Sequence, residues 1–308
     1  MMTENDTMQA RSIKVVAVGY YGAPNVGDEL LLGLLARQVR ERGGELVALS
    51  INPEYTTHAH GIAAVDYFNL GAVGRALSDA DLLVFGGGGI FQDHHPFNVE
   101  ALYDPTQNDI AGYARIFYMA RQFGVRTVIW AHGVGPLVNP DSRDITRDVF
   151  THVDHVSLRD TDSEALLHDI GVSRDIPVGA DPGWAFVSRP PAEVDVSGTL
   201  APLGTKKKLA VIARSWEFNR NWEEKLVSAL NEALDDSWSI VWLGFQWSVG
   251  DHERLTDRSF LEHLKLAVSP HIESVIIDGI TPDEAFAVIG ECDAAFSMRL
   301  HGSILALG

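Results

Sequence analysis

Short apolar runs alternate with amphipathic helical patterns along almost the whole chain, and this alternation constrains its fold more than any other feature. The first strand is predicted at residues 13–19, a helix at 28–42 and a second strand at 45–51. Helices that open with capping boxes are predicted to begin at Thr161 and Thr281. Because parallel strands need long crossover connections, which are usually helices, the alternation predicts an α/β fold with parallel, doubly wound sheets.

The alternation is interrupted once, by a segment rich in proline, glycine and small polar residues. Residues 188–208 show neither a helical nor a strand period. We therefore predict an N-terminal Rossmann-like domain at residues 12–187, a linker at 188–208 and a C-terminal Rossmann-like domain at 209–308. The last helical pattern reaches the end of the sequence on the apolar letters ILALG, so this second domain is expected to be truncated.

The charge balance is strongly acidic. Lys and Arg number 24 against 42 Asp and Glu, which gives a formal net charge of -18. Such a chain repels nucleic acid and anionic lipid headgroups on average, so we predict no nucleic-acid partner. Any anionic ligand must then be held by locally placed Arg, Lys, His or backbone N–H groups.

The cysteine count and the hydropathy pattern bear on the compartment. One cysteine excludes a disulfide within the chain, and no apolar run is long enough to cross a bilayer. These features predict a cytoplasmic protein.

Ligands of open parallel sheets bind outside the carboxyl ends of the strands, so the turns that follow predicted strands supply the candidate site residues. Asp28 lies in GYYGAPNVGDE, after the first strand. It either caps the following helix or acts as a proton donor or acceptor near the helix N-terminus. In FSMRLHG, strand alternation would place Arg299 and His301 on one face, where an anion-binding Arg beside a titratable His suits acid–base chemistry.

Three further turns carry candidates for substrate binding. They provide the glycine run Gly86, Gly87, Gly88 and Gly89 with Gln92 and Asp93, then His132, then Arg159. Consecutive glycines let a ligand approach the backbone closely, although a purely structural run has the same sequence. An Arg at a strand end reaches a phosphate or carboxylate, or else pairs with Asp160 or Asp162 in solvent.

No metal site is predicted. His94 and His95 follow Asp93, but adjacent side chains seldom share a metal ion.

Six motifs in chain order resemble those of the polysaccharide pyruvyl transferases, which modify bacterial cell-wall and exopolysaccharide repeats. They are GYYGAPNVGDE, DLLVFGGGGIFQD, AHGVGP, VSLRD, GADPGWAF and FSMRLHG. The resemblance implies two Rossmann-like domains in a GT-B-like arrangement. It also implies phosphoenolpyruvate as donor, no cofactor, and a cyclic pyruvate ketal formed on two hydroxyls of a sugar.

The resemblance also suggests roles for the candidate residues. Arg159 and Arg299 would hold the phosphate and carboxylate of the donor, and Asp28 and His301 would serve as acid and base in an order left open. The glycine run with Gln92 and Asp93 would hold part of the substrate. The acceptor would be a nucleotide- or lipid-linked sugar, with peripheral contact to a membrane-bound acceptor in the second case.

Two other functions fit the same sequence. One is a GT-B glycosyltransferase that uses a nucleotide sugar. The other is a non-catalytic carbohydrate-binding protein that retains the fold.

Overall fold

The computed structural model describes residues 12–93, 97, 99–106, 109–189, 194–216, 221–248 and 256–308. The chain divides into two compact units. The first contains the chain up to Gly19 and Leu35–Pro177, and the second contains Tyr20–Leu34 and Val178–Gly308. Each unit is built on its own parallel sheet.

The first sheet has seven strands, and the chain alternates between these strands and helices. The elements from the first strand to the end of this unit are β1 (Lys14–Val18), α1 (Val26–Glu41), β2 (Glu45–Ser50), α2 (Pro53–His60), β3 (Ala63–Asp66), α3 (Leu70–Ser78), β4 (Leu82–Phe85), β5 (Gly88–Phe91), a 3₁₀ turn (Val99–Leu102), α4 (Ile110–Gln122), β6 (Arg126–Val134), α5 (Pro140–His152), β7 (His155–Leu158) and α6 (Thr161–Asp169).

The strands run in the order β3-β2-β1-β4-β6, and all pairs are parallel. Strand β4 pairs with the start of β6 and β5 pairs with its end, whereas β7 pairs along both stretches. Strands β4 and β5 therefore follow one another along one edge of β6, and β7 lies along the other. This is a doubly wound order.

The strand sequences explain why the sheet is central. The β1 residues Val15, Val16, Ala17 and Val18 are at most 4% exposed, and β4 reads LLVF. Continuous apolar runs of this kind are typical of parallel strands covered on both faces. The predicted α/β class with parallel, doubly wound sheets is confirmed.

The second unit has a four-stranded parallel sheet in the order β10-β9-β8-β11. Its core is formed by the apolar faces of the helices after β8 and β9, packed around Trp242. Its elements are α7 (Gly183–Val187), α8 (Ser197–Leu200), a 3₁₀ turn (Ala201–Leu203), β8 (Lys207–Ile212), α9 (Trp222–Ala233), β9 (Trp238–Leu243), α10 (Arg258–Ala267), β10 (Glu273–Ile277), α11 (Pro282–Gly290), β11 (Ala294–Ser297) and α12 (Leu300–Leu307).

The predicted domain boundaries differ from these units in two places. Residues Tyr20–Leu34 belong to the second unit, where the Val26 amide donates to the Phe245 carbonyl at 2.8 Å. The predicted linker at 188–208 contains α8, the 3₁₀ turn and the first residues of β8, and its residues 190–193 lie outside the described part of the chain.

The two predicted helix starts had different outcomes. The capping box at Thr281 is confirmed, with the Thr281 and Glu284 side chains bonded reciprocally to each other's backbone. The box at Thr161 is wrong, because the cap of α6 is Asp160, whose carboxylate accepts from the Ser163 amide at 2.7 Å. A carboxylate one residue earlier already satisfies the free amide.

Candidate functional site

The imidazole of His301 lies against a buried carboxylate in the second unit. His301 is the second residue of α12, and its Nε2 is 3.4 Å from Asp181 Oδ1. The two side chains are only 13% and 5% exposed. The same Asp181 oxygen accepts from the Gly183 amide at 2.8 Å, which holds the carboxylate in place. The carboxylate lies close enough to favour one orientation of the ring, and His301 Nε2 makes no hydrogen bond within the described residues.

The other ring nitrogen of His301 faces the first turn of α1. A Cβ atom placed on Gly27 would fall far inside contact distance of His301 Nδ1. The first turns of α1 and α12 therefore meet at Gly27, and no larger residue fits there without moving the ring. Asp28 follows Gly27 and is half-buried in the same turn.

The first turn of α1 also decides between the two interpretations of Asp28. The side-chain oxygen of Asn25 accepts from the Gly27 amide at 3.0 Å, and the Asn25 carbonyl accepts from the Glu29 amide. Asn25 thus occupies the capping position, and the capping interpretation of Asp28 is wrong. Asp28 lies inside the turn, next to the residue that touches His301.

Arg299 is fixed by a second buried carboxylate. Its Nη2 lies 2.6 and 2.7 Å from the two carboxylate oxygens of Asp257, and these side chains are 10% and 7% exposed. Asp257 also accepts from the Phe245 and Gln246 amides at 3.1 and 3.0 Å. Arg299 Nε is buried and makes no hydrogen bond within the described residues.

The predicted relation between Arg299 and His301 needs a correction. Strand β11 ends at Ser297, so Arg299 is the residue before α12 and His301 lies inside that helix. Strand alternation does not apply to them, and the two side chains contact different carboxylates, Asp257 and Asp181.

Two polar residues that the sequence did not indicate lie near Arg299. Burial raises the pKa of Tyr20, and the charge of Asp28 raises it further. The positive charges of the nearby Arg214 and Arg299 act in the opposite direction. Desolvation, followed by the charge of Arg299, lowers the pKa of Arg214. The phenol of Tyr20 is therefore neutral near pH 7, and both guanidinium groups lie within electrostatic range of it.

Four functional candidates were missed by the sequence reasoning: Tyr20, Asp181, Arg214 and Asp257. Arg214 and Asp181 carried a usable signal, since Arg214 follows a predicted strand and Asp181 lies in the motif GADPGWAF. Asp257 carried none, because its role depends on contacts between residues far apart in the sequence.

Arg159 belongs to the first unit, where its guanidinium lies over two glycines. A Cβ atom on Gly133 would be 2.5 Å from Arg159 Nη2, and one on Gly89 would be 3.6 Å from it. Arg159 Nε is 3.5 Å from a carboxylate oxygen of Asp160, so this predicted ion pair is present, although Arg159 is only 19% exposed. Binding of an anion by Arg159 stays a prediction.

The glycine run is partly strand rather than loop. Gly88 and Gly89 begin β5, and Gly87 and Gly88 have φ values of 84° and 85° that favour glycine. Gly86 to Gly88 are buried, and Gly89 is half-buried near Arg159. Substrate binding by the four glycines stays a prediction.

The two polar residues after β5 differ in exposure. Gln92 is exposed, whereas Asp93 is 9% exposed and its carboxylate accepts from the Val138 and Asn139 amides at 2.8 and 2.7 Å. Asp93 also accepts from the Ser142 hydroxyl. These bonds give Asp93 a structural role at the start of α5, and its predicted contact with substrate is untested.

The side chain of His132 is buried. Its imidazole is 0% exposed and packs against the Phe91 ring, with 5.7 Å between the ring centroids. The backbone carbonyl of His132 accepts from the Arg159 amide at 3.1 Å. Substrate binding by His132 stays a prediction.

The described residues lack two kinds of feature, metal-ligand clusters and membrane-spanning helices. These residues include no group of three or more His, Cys, Asp or Glu side chains able to hold a metal ion, and His94 and His95 lie outside them. The helices in the described part of the chain are all too short or too polar to cross a membrane.

Comparisons with known proteins agree with the fold and the motifs. The model of the family described as polysaccharide pyruvyl transferase matches residues 25–308. Three solved structures are similar in fold at low identity, each over more than nine tenths of this chain.

The first of these structures is UDP-GlcNAc 2-epimerase from Neisseria meningitidis bound to UDP-GlcNAc, with 10% identity, 94% of this chain and 78% of that chain covered, and a TM-score of 0.57. A glycosyltransferase from Rickettsia africae has 10% identity, coverage of 96% and 78%, and a TM-score of 0.57. Anabaena HepE in complex with UDP and glucose has 14% identity, coverage of 92% and 73%, and a TM-score of 0.54. The likeness confirms the predicted fold class.

Proposed function

Because the chain belongs to the polysaccharide pyruvyl transferase family, we propose that it transfers pyruvate from phosphoenolpyruvate to two hydroxyls of one sugar. The product is a cyclic ketal on a cell-wall or exopolysaccharide precursor. The observation that carries this proposal is the start of α12, where Arg299 is bonded to the buried Asp257 carboxylate and His301 lies 3.4 Å from the buried Asp181 carboxylate.

The proposed reaction balances without a cofactor. The methylene carbon of phosphoenolpyruvate gains a proton, and the first sugar hydroxyl attacks the adjacent, cation-like carbon. The second hydroxyl attacks the same carbon as the bond to the phosphate oxygen breaks. Of the two hydroxyl protons, one balances the proton taken up by carbon and the other leaves with hydrogen phosphate.

The residues of the second unit suit these steps. Arg299 supplies a fixed positive charge for an acidic group of the donor. His301 and Asp28 serve as the acid and the base, and either residue can take either role. Asp181 positions His301. An imidazole can both give and take a proton in general acid–base catalysis.

The proposed acceptor is a nucleotide- or lipid-linked sugar, and the proposed compartment is the cytoplasm. The acidic surface opposes adsorption to an anionic membrane, so a lipid-linked acceptor would be reached through its sugar headgroup. Arg159, Gln92 and the glycine run remain proposed contacts with substrate in the first unit.

A second candidate is a glycosyltransferase or related enzyme that uses a nucleotide sugar. The similar folds of the Neisseria epimerase with UDP-GlcNAc and of Anabaena HepE with UDP and glucose favour it. Such an enzyme would bind UDP and would ignore phosphoenolpyruvate.

Acceptor-dependent phosphate release separates these candidates. The wild-type chain is incubated with phosphoenolpyruvate and a panel of nucleotide- and lipid-linked N-acetylhexosamines, with UDP-sugars in parallel. We expect phosphate release only when donor and acceptor are both present, and His301→Gln should abolish it. The control variant His263→Gln changes a histidine that is 69% exposed on α10 and should retain activity. UDP release without phosphate release would support the glycosyltransferase instead.

A further inference from the structure

Arg214 and Arg299 follow neighbouring strands and lie at equivalent positions. Strand β11 pairs in parallel with β8, and the register matches Ser297 with Ile212. Arg214 lies two residues after Ile212, and Arg299 lies two residues after Ser297. The pairing continues past Ser297, because the Met298 amide donates to the Ile212 carbonyl. The two guanidinium groups are therefore attached side by side at the carboxyl edge of this sheet, where ligands of parallel sheets bind.

One of the two arginines has no bonded carboxylate within the described residues. Asp257 is bonded to Arg299, whereas Arg214 forms no ion pair with any described carboxylate. The charge of Asp28 also acts at this edge, on the nearby Tyr20. A buried Arg299 Nε without a hydrogen-bond partner adds an unsatisfied donor.

The rest of the edge favours an anion as well. The N-terminus of the eight-residue helix α12 begins directly after Arg299, and the positive end of a helix dipole attracts anions. Arg214 is exposed, and its guanidinium lies 5.2 Å from the centre of the Trp216 ring. A ligand can therefore reach Arg214 from solvent, while Asp257 holds Arg299 in place.

We propose that Arg214 and Arg299 together bind the phosphate group of the donor, with Asp257 as the positioning residue of Arg299. Two adjacent guanidinium groups match a phosphate monoester, because its dianion and its three terminal oxygens satisfy several N–H donors at once. The identity of the donor rests on the proposed function, whereas the presence of a phosphate site here does not.

Binding titrations with the full chain test this assignment. The probes are phosphoenolpyruvate, inorganic phosphate and pyruvate, the last of which has the carboxylate but no phosphate. Arg214→Gln should raise the Kd of phosphoenolpyruvate and of phosphate about tenfold or more, since a bond to a charged group is lost. The Kd of pyruvate should change less than about twofold, because pyruvate has no phosphate group for Arg214 to bind. Arg214→Lys, which keeps the charge but not the planar donors, should give an intermediate loss.

The matched control is Lys207→Gln. Lys207 is an exposed cation at the other end of the same strand, so this variant changes the net charge equally and should bind all three probes like the wild type. Arg214 is exposed, so its variants should keep the wild-type thermal unfolding midpoint.

Three results would overturn the assignment: wild-type affinity for phosphate in Arg214→Gln, selective loss of pyruvate binding, or no phosphate binding by the wild type. If Arg214→Gln loses phosphate binding but the wild type never forms a pyruvylated product, the phosphate site stands and the proposed function fails.

Discussion

At the residue scale, the contacts of His301 explain why the start of α12 suits proton transfer. One ring nitrogen faces the buried Asp181 carboxylate, and the other faces the backbone of Gly27. The sequence indicated His301 and Arg299, because both follow a predicted strand. It could not indicate Asp257, which reaches Arg299 across more than forty residues and lies in no periodic pattern. Asp181 lies in the motif GADPGWAF, but nothing in the sequence paired it with His301.

The first prediction concerns Asp181. Asp181→Asn removes the charge that faces His301 but keeps a side chain of the same shape. We expect kcat to fall about 10²-fold, within the range that general acid–base groups contribute, while the Kd of phosphoenolpyruvate changes less than about threefold. Steady-state kinetics and a binding titration measure the two quantities.

Asp235→Asn is the control for this variant. Asp235 accepts from the Ser237 amide at 2.9 Å in a similar local turn, but it is exposed and far from His301 in the sequence. Its activity should equal that of the wild type. Unchanged kcat in Asp181→Asn would contradict a positioning role for this carboxylate.

The second prediction concerns Gly27. In Gly27→Ala, the new methyl group would overlap the His301 ring, so the ring or the first turn of α1 must move. We expect a loss of turnover of at least about tenfold, because a displaced acid–base group no longer reaches the reacting atoms.

Gly290→Ala provides the steric control, since a methyl group on this helical glycine would meet nothing within 4 Å. It should leave turnover unchanged and stabilise α11 by about 0.5–1 kcal/mol. Equal turnover in both variants would show that the close packing at Gly27 does not matter.

At the scale of elements, the long and strongly periodic segments were predictable, and the short or polar ones were not. Strands β1 and β2 and helix α1 begin and end within two residues of their predicted positions. Helix α2 reads PEYTTHAH, and Thr56 is its one buried residue, so it has no apolar stripe to recognise.

The start of β5 was missed because four glycines are typical of a loop. Gly88 nevertheless pairs with His132, since β5 lies beside the end of β6. The tertiary pairing overrides the low strand propensity of glycine.

The third prediction concerns the start of α5. Asp93→Ala would leave the Val138 and Asn139 amides and the Ser142 hydroxyl without their acceptor. We expect the first unit to lose about 2–4 kcal/mol of stability, since several bonds to one charged group are removed together. Hydrogen exchange of the α5 amides measures this change without assuming that the whole chain unfolds in one step.

Asp66→Ala is the comparison variant, because exposed Asp66 accepts from the Phe68 amide alone in a short turn. Its effect should stay below about 1 kcal/mol. If Asp93→Ala lost no more stability than Asp66→Ala, the three bonds of Asp93 would contribute little. Asp93 would then be free for its predicted contact with substrate.

At the scale of the whole molecule, the order of the predicted elements was sufficient for the fold class. Alternating strands and helices on either side of one interruption correspond to two parallel sheets. The unit boundaries were beyond the sequence, because Tyr20–Leu34 belongs to the second unit through contacts with residues more than two hundred positions later. Truncation of the second domain stays a prediction.

The most direct test of the central claim is mass spectrometry of the product formed in D₂O from phosphoenolpyruvate and the acceptor that supports phosphate release. Proton transfer from the enzyme to the methylene carbon predicts an acceptor heavier by pyruvate less water, with one deuterium in the new methyl group. An acceptor of unchanged mass, or one heavier by a sugar only when a UDP-sugar is supplied, would contradict pyruvyl transfer.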